Sequence, residues 1–404
     1  MAGGALLLAS AVQAQTLTSS GFAELRAVLY PQTAPNDRTR GTGEALVRFE
    51  PSLEAASWLR IAAGFDLRMD THARVERGWT IDWSDRGTFR PPFSVRRLSA
   101  MFFRGGLTVE LGKQFIRWGR ADILNPTDRF APRDYLSVVD SDFLGVTAVR
   151  ATYESGGNTL DAVWVPRFTP SRIPLLTQRW TALPAPVELI PVVDGGTRYP
   201  AGSQAGLRWN HAGRGYEFSL SFYDGFNTLP AVESTVVPSP LHTVLTRVYP
   251  QMRMWGADAA LPRRWFTLKG EVGYFTSATS GAGEYGIYVV QLERQVGEWL
   301  LVGGYAGDHV TAPVSLPAFE PELGLARAFL GRASVTLGPV SSAIFEAAVR
   351  RNGDGSWVKG QYTRTWGQHL RARFEGNWIR GAEGDFLGQF HRNSNVNLAL
   401  RYSF

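Results

Sequence analysis

The chain has 404 residues, no cysteine, 43 glycines and 12% aromatic residues, with a formal net charge of +6. The lack of cysteine excludes a disulfide framework and any thiolate metal or redox site. The length exceeds one soluble core, which leaves several soluble domains or one large barrel; no Pro/Gly/Ser linker or shift of composition divides the chain, so one domain is favoured, and arginines spread at strand spacing, not gathered into a helix or tail, set nucleic acid aside.

Residues 1–14 read as the remnant of an export signal. Ala5 to Val12 form a short apolar run, and Val12-Gln13-Ala14 gives a small-residue cleavage pattern, although a basic leading region is missing. No later stretch reaches about 18 unbroken apolar residues, so a membrane could be crossed only by strands closed into a barrel.

From residue 15 onward, segments of about ten residues alternate with period two. Leu59, Ile61, Phe65, Leu67 and Met69 oppose Arg60, Asp66 and Arg68; Tyr216, Phe218, Leu220 and Phe222 oppose Glu217, Ser219 and Ser221. Leu268, Val272 and Tyr274 oppose Thr267, Lys269 and Glu271. In His369–Trp378, Leu370, Ala372, Phe374, Gly376 and Trp378 share one face, and His369, Arg371, Arg373, Glu375 and Asn377 the other. Charges at every second position do not suit a dry core on that side. About 18 such segments begin near Gly21, Gly43, Trp58, Ser94, Gly106, Gly145, Thr159, Gln204, Tyr216, Tyr249, Trp265, Tyr285, Trp299, Arg327, Ser342, Trp357, His369 and Asn395.

The connections alternate long and short. Pro31 to Arg40 is long and Pro51 to Ala56 short; Asp70 to Pro92 is long and Gly105-Gly106 short; Gln114 to Phe143 is long and Gly156-Gly157-Asn158 short. The parity runs on to the end with one exception, Asn352-Gly353-Asp354-Gly355, which is short where a long loop is due. A soluble sandwich or propeller has no reason to keep this parity, whereas a transmembrane barrel with short periplasmic turns and long external loops requires it. The fold class predicted is therefore all-β, a single closed antiparallel transmembrane barrel of about 18 strands over residues 15–404, with 16 strands as the alternative.

In such a barrel apolar side chains face lipid and polar ones the lumen. Aromatics near segment ends then form interfacial girdles: Tyr216, Trp265, Trp299, Trp366 and Phe404 on the turn side, Tyr30, Trp164, Tyr274, Tyr305 and Trp378 on the loop side. Lumen-facing candidates are Arg60, Arg97, Arg371, Arg373 and Glu375, among a mixture of charges tilted toward arginine. A wet lumen of this kind is mildly attractive to anions.

Two resemblances add to this reading. The last ten residues, with Val396, Leu398, Leu400, Tyr402 and Phe404 on one face, resemble the C-terminal signal by which bacterial outer-membrane barrels are recognised by their assembly machinery. The block from Trp118 (Trp-Gly-Arg-Ala-Asp, then Asn-Pro-Thr-Asp, then Pro-Arg-Asp-Tyr to Tyr135) resembles one in a family of uncharacterised porin-like outer-membrane proteins. It lies after the fifth strand, the position of the constriction loop in general porins. By that resemblance residues 114–142 fold inward as a constriction or plug, with Arg117, Arg120, Asp122, Asp128, Arg129, Arg133 and Asp134 lining an eyelet, while Leu400, Tyr402 and Phe404 carry the assembly signal.

The resulting expectation is an outer-membrane channel for small polar, anionic solutes. A gated conduit for amphipathic or hydrophobic molecules, with the 114–142 loop and the proline-rich fourth connection as plug, is the alternative; a barrel hydrolase or a non-conducting scaffold is a third. The expected partners are the bilayer, the assembly machinery and a small solute, with the oligomeric state open. No cofactor, metal spacing or phosphate-cradling loop is read, and the nearest approach to a catalytic triad is His391 with Ser394 and Asp385.

Overall fold

The computed structural model describes residues 15–181, 191–315 and 317–404. The expected export signal, 1–14, lies outside the described residues. Eighteen strands make the wall: β1 Thr16–Leu29, β2 Gly41–Ala56, β3 Leu59–Asp70, β4 Phe93–Arg104, β5 Leu107–Gln114, β6 Val146–Ser155, β7 Asn158–Val165, β8 Gln204–Gly213 and β9 Tyr216–Phe226. The second half is β10 Gln251–Pro262, β11 Thr267–Thr276, β12 Glu284–Val296, β13 Trp299–Ala312, β14 Ala328–Gly338, β15 Ser341–Arg350, β16 Gly355–Trp366, β17 Leu370–Gly381 and β18 Asn395–Ser403. Each pairs antiparallel with its neighbours in sequence, and β18 pairs back onto β1 through Leu29↔Val396 to Phe22↔Ser403, which closes the barrel. Closure removes the edges that an open sheet would leave unpaired. No helix among the described residues is long and apolar enough to cross a membrane.

Period-two alternation puts the two sets of side chains where a membrane barrel needs them. On β17 and β18, Phe374, Trp378, Leu398, Leu400 and Tyr402 stand exposed on the outside, while Glu375, Asn377, Asn395 and Asn397 are buried inside. This inverts the order of a soluble core, where burying amides and carboxylates while exposing leucine would cost free energy on both counts. The outward face is an apolar belt suited to acyl chains. Short turns such as 57–58, 105–106 and 297–298 lie at one end and long loops at the other; the connection at 351–354 is the short exception on the loop side.

The interior corrects one simplification. A polar lumen was expected throughout, yet the inward faces of β6 to β15 carry a buried apolar cluster, including Val163, Tyr223, Met254, Ile287, Ala306 and Leu330. The chain that follows β5 packs onto it with Ile116, Trp118, Leu124 and Phe130. On these strands the buried apolar side chains share the interior with polar ones such as Asp161, Asp258, Glu271 and Gln291, so the lumen is partly filled and not uniformly wet. Tyr30, placed by the sequence in the loop-side girdle, is instead buried beneath Arg179. At the exterior rim, Val192–Arg198, Ala231–Pro238 and Leu241–Val248 form a separate three-stranded sheet.

Candidate functional site

The inward chain, residues 115–145, crosses the lumen and is fastened at both sides. On the β8 to β12 side the wall presents two carboxylates directly opposite each other, Asp258 on β10 and Glu271 on β11. Like charges so placed repel unless something bridges them. The loop supplies the bridge. Glu271 accepts backbone N–H bonds from Arg120 (2.8 Å), Ala121 (2.9 Å) and Thr127 (2.9 Å), and the Thr127 hydroxyl donates to it as well (2.9 Å). The Arg120 guanidinium binds Asp258, Glu217 and Asn210.

Close approach at this wall depends on glycine. A Cβ at Gly206 would lie 2.7 Å from Phe130 and 2.8 Å from Trp118, and one at Gly256 would lie 2.7 Å from the Thr127 side chain, so neither position accepts a larger residue while the loop is docked. Phe130 is wedged edge-on between Trp118 and Tyr223, at centroid distances of 5.1 and 5.0 Å. The Trp118 indole N–H donates to Asp161 on β7.

On the β1 to β4 side the polarity reverses, with acids of the inward loop meeting arginines of the wall and of neighbouring loops. Asp140 pairs with Arg26, and Asp142 with Arg96 (2.6 Å) and Arg48 (3.4 Å). Asp134 takes a two-point contact from Arg90 (2.8 and 3.0 Å) and a longer one from Arg172 (3.4 Å). Burial pushes the Asp134 carboxyl up, and the guanidiniums of Arg90 and Arg172 outweigh it and hold it below the usual carboxylate range. Arg96 reaches the lumen because a bulge in the β3–β4 pairing, where Gly64 meets Arg97 and Phe65 meets Val95, leaves it as the extra residue. Strict alternation assigns only Arg97 to the interior, so no sequence pattern marks Arg96.

The expected eyelet residues therefore fall into two groups. Asp128 and Asp134 are buried, Asp128 accepting the backbone N–H of Trp118 and Gly119 (2.6 Å each). Arg120 is held by the wall acids, and Arg129 by Glu322 of the loop between β13 and β14. Asp122 contacts Lys269 and Gln291 at the margin of the open space. Arg117 and Arg133 remain the accessible cations: their guanidinium carbons lie 4.3 and 4.2 Å from the Phe143 ring centroid. Arg117 has one acidic partner, Asp128 at 3.4 Å, and no carboxylate among the described residues is within ion-pair reach of Arg133.

Among the wall candidates, Arg97 binds Glu110 at 2.9 Å, and Arg373 approaches Glu24 at 3.8 Å. Glu375 accepts from Asn377. Arg371 is exposed near the turn end of β17, and Arg60 pairs with Glu54 at the turn end of β3, both far along the strands from the loop. Leu400 and Tyr402 face outward on β18, and Phe404 exchanges backbone hydrogen bonds with Gly21 (2.9 and 3.0 Å), completing the β18–β1 seam. The side chains of His391, Ser394 and Asp385 bond elsewhere than to one another: the His391 ring meets the Gly388 carbonyl, the Ser394 hydroxyl meets the backbone of Ile379 and of His391, and Asp385 pairs with Arg350.

Between the inward loop and the β14 to β16 wall lies a cavity of about 290 Å³, bordered by Asp122, Arg133 and Tyr135 on the loop side and by Glu346, Trp357 and Lys359 on the wall side. Over the outer mouth runs residues 166–181, the part of the fourth connection whose reach the sequence leaves open. It starts at β7 and ends against loops of β1 and β18, across the barrel. There Arg179 donates to the backbone carbonyls of Thr39 (2.6 Å), Gln32 (3.3 Å) and Arg392 (3.4 Å), with its guanidinium 3.7 Å from the Tyr30 ring centroid. Trp180 packs with Ile379 and Phe390.

The closed 18-stranded antiparallel barrel is a fold shared with solved outer-membrane porins. Solved structures with this fold include a BenF-like porin from Pseudomonas fluorescens Pf-5, 10% identical with a TM-score of 0.57 over 96% of this chain and 98% of that one. Pseudomonas aeruginosa OpdQ is similar too, 10% identical with a TM-score of 0.55 over 97% and 99% of the two chains, as is Acinetobacter baumannii OccAB4, 8% identical with a TM-score of 0.54 over 96% and 98%. Identities this low establish the fold. No protein-family model matches the chain, and no curated protein matches its sequence.

Proposed function

We propose that this protein is a channel of the bacterial outer membrane through which small polar, anionic solutes pass between the inward loop and the β14 to β16 wall. The observation that carries the reading is the pair Arg117 and Arg133, stacked on Phe143 and short of acidic partners where most other loop charges are neutralised. Two under-compensated guanidiniums, Arg133 at the border of the cavity and Arg117 beside the same Phe143 ring, attract anions and repel cations. The fold shared with a BenF-like porin supports passage as the activity, and the cavity volume of about 290 Å³ suits a small solute. Planar-bilayer recording tests it: the barrel conducts with chloride favoured over potassium, and the double substitution Arg117→Gln/Arg133→Gln removes that preference. Cation selectivity of the unaltered protein overturns the reading.

The second reading, a gated conduit for amphipathic molecules, draws on the apolar packing inside the barrel and on the 166–181 strap fastened over the mouth. A bilayer that stays silent until residues 118–135 are deleted favours this alternative.

A further inference from the structure

The loop between β3 and β4 carries an exposed apolar feature that passage through the lumen does not use. Trp79 is 81% exposed, Ile81 76% and Trp83 40%. Their position follows from a gap in the wall. β5 leaves the sheet at Gln114 to enter the lumen, and its pairing with β4 ends at Leu98↔Lys113, while β4 continues up to Phe93. The stretch Ile81–Asp82 takes the vacated edge, pairing in parallel with Phe93 and Ser94.

The orientation of this patch is fixed from the inside. The Asp82 carboxylate accepts backbone N–H bonds from Ser84 (2.8 Å) and Asp85 (3.1 Å), and the buried Lys113 ammonium donates to the Trp83 carbonyl at 2.8 Å while pairing with Asp85. With Asp82 held in the turn, Ile81 and Trp83 stand on the other side. The Trp83 indole N–H then donates to the Thr147 hydroxyl (3.2 Å). Thr147 belongs to the outward register of β6, in line with the exposed Val149 and Tyr153. The patch is thus continuous with the apolar belt and faces the same medium.

We propose that Trp79, Ile81 and Trp83 form a membrane anchor, a loop segment that replaces the missing upper part of β5 on the lipid side and seats in the outer leaflet at the boundary of headgroups and acyl chains. Indole suits that boundary, having an apolar body and one polar N–H. The proposal rests on the reading that the barrel sits in a bilayer.

Because the chain has no cysteine, single labels are unambiguous. Nitroxides attached at Trp79→Cys and Ile81→Cys in protein reconstituted into phosphatidylcholine vesicles are compared with Leu111→Cys on the belt and Asn36→Cys on an external loop. The expected result is high oxygen and low nickel-chelate accessibility at 79 and 81, as at 111 and opposite to 36. Water-like accessibility at 79 and 81 with a lipid-like 111 overturns the anchor alone. Dipolar broadening at 79 or 81 overturns it in favour of a second copy of the chain. A water-like 111 overturns the bilayer reading itself. Brominated phosphatidylcholine gives an independent readout on unlabelled protein: the quenched share of tryptophan emission falls in Trp79→Phe/Trp83→Phe, and an unchanged share refutes the contact.

Discussion

Glu271→Ala addresses the fastening of the inward loop. The substitution strips one acceptor from four donors, the backbone N–H groups of Arg120, Ala121 and Thr127 and the Thr127 hydroxyl. A hydrogen bond to a charged acceptor contributes about 1.5 kcal/mol at the low end, so four come to about 6 kcal/mol if they add. They do not add, since all share one carboxylate, and water entering the opened space satisfies part of the loss. Removing Glu271 also frees Asp258 of a like-charged neighbour, a further offset. A net loss of about 3 kcal/mol is reasonable, lowering the ratio of docked to released loop by ~10²-fold. The barrel wall should survive, because the β10–β11 ladder from Arg253↔Thr276 to Pro262↔Thr267 does not use this side chain. Hydrogen exchange of folded protein is the assay: amides of 117–130 lose protection by about that factor while those of β10 and β11 keep theirs, and bilayer recordings show larger, noisier current steps. Glu271→Gln, which retains one acceptor oxygen, falls between. Unchanged exchange at 117–130 in Glu271→Ala refutes the idea that this carboxylate holds the loop.

Gly256→Val places methyl groups where Thr127 now sits, so the loop is expelled from the same wall; proteolysis within 117–130 should accelerate while the barrel stays folded. Arg179→Ala removes the donors to three carbonyls and the stacking on Tyr30, at about 2 kcal/mol, and exchange at 168–181 should rise with no change at β7. Glu320, in the loop between β13 and β14, has its carboxyl pushed up to about 7 by burial and then by the charge of Glu322. A raised carboxyl is tolerated in the docked loop when protonated, so the loop is best held below the ordinary value of about 4.5 and loses stability as pH rises through about 7. Exchange in 318–325 should therefore increase between those limits, and Glu320→Gln should abolish the dependence. Asp134 has the opposite sign: its contribution is present above the ordinary carboxylate range and is lost progressively as pH falls below it, so exchange in the 133–142 arm should rise in acid.

Much of the wall was legible in the residues themselves. Alternation in His369–Trp378 or Asn395–Phe404 states which side chains share a face, and the long-short parity of connections states that both ends of every hairpin pair meet different media. Such signals are local, because side chains alternate across a strand with period two whatever the rest of the chain does. They reached all eighteen strands of the observed barrel. The Trp118–Tyr135 block likewise stood out in the sequence, by its resemblance to a porin-like loop and its place after the fifth strand.

What the loop touches was not legible. Arg120 and Arg133 look equivalent in sequence, yet one is held by Asp258 and Glu217, more than ninety positions away in the chain, and the other stands beside an open cavity. That difference depends on which strands lie opposite the loop and in which register, for instance on Asp258 facing Glu271. Arg96 points inward only because a bulge breaks the period, and that Arg179 reaches the Tyr30 ring from the far side of the mouth follows from the path of a loop, not from any strand pattern. Alternation, a property of each strand alone, assigned the outward apolar and inward polar faces; barrel closure and the crossing of loops, properties of the whole chain, decided which charges pair with one another and which stand without a partner among the described residues.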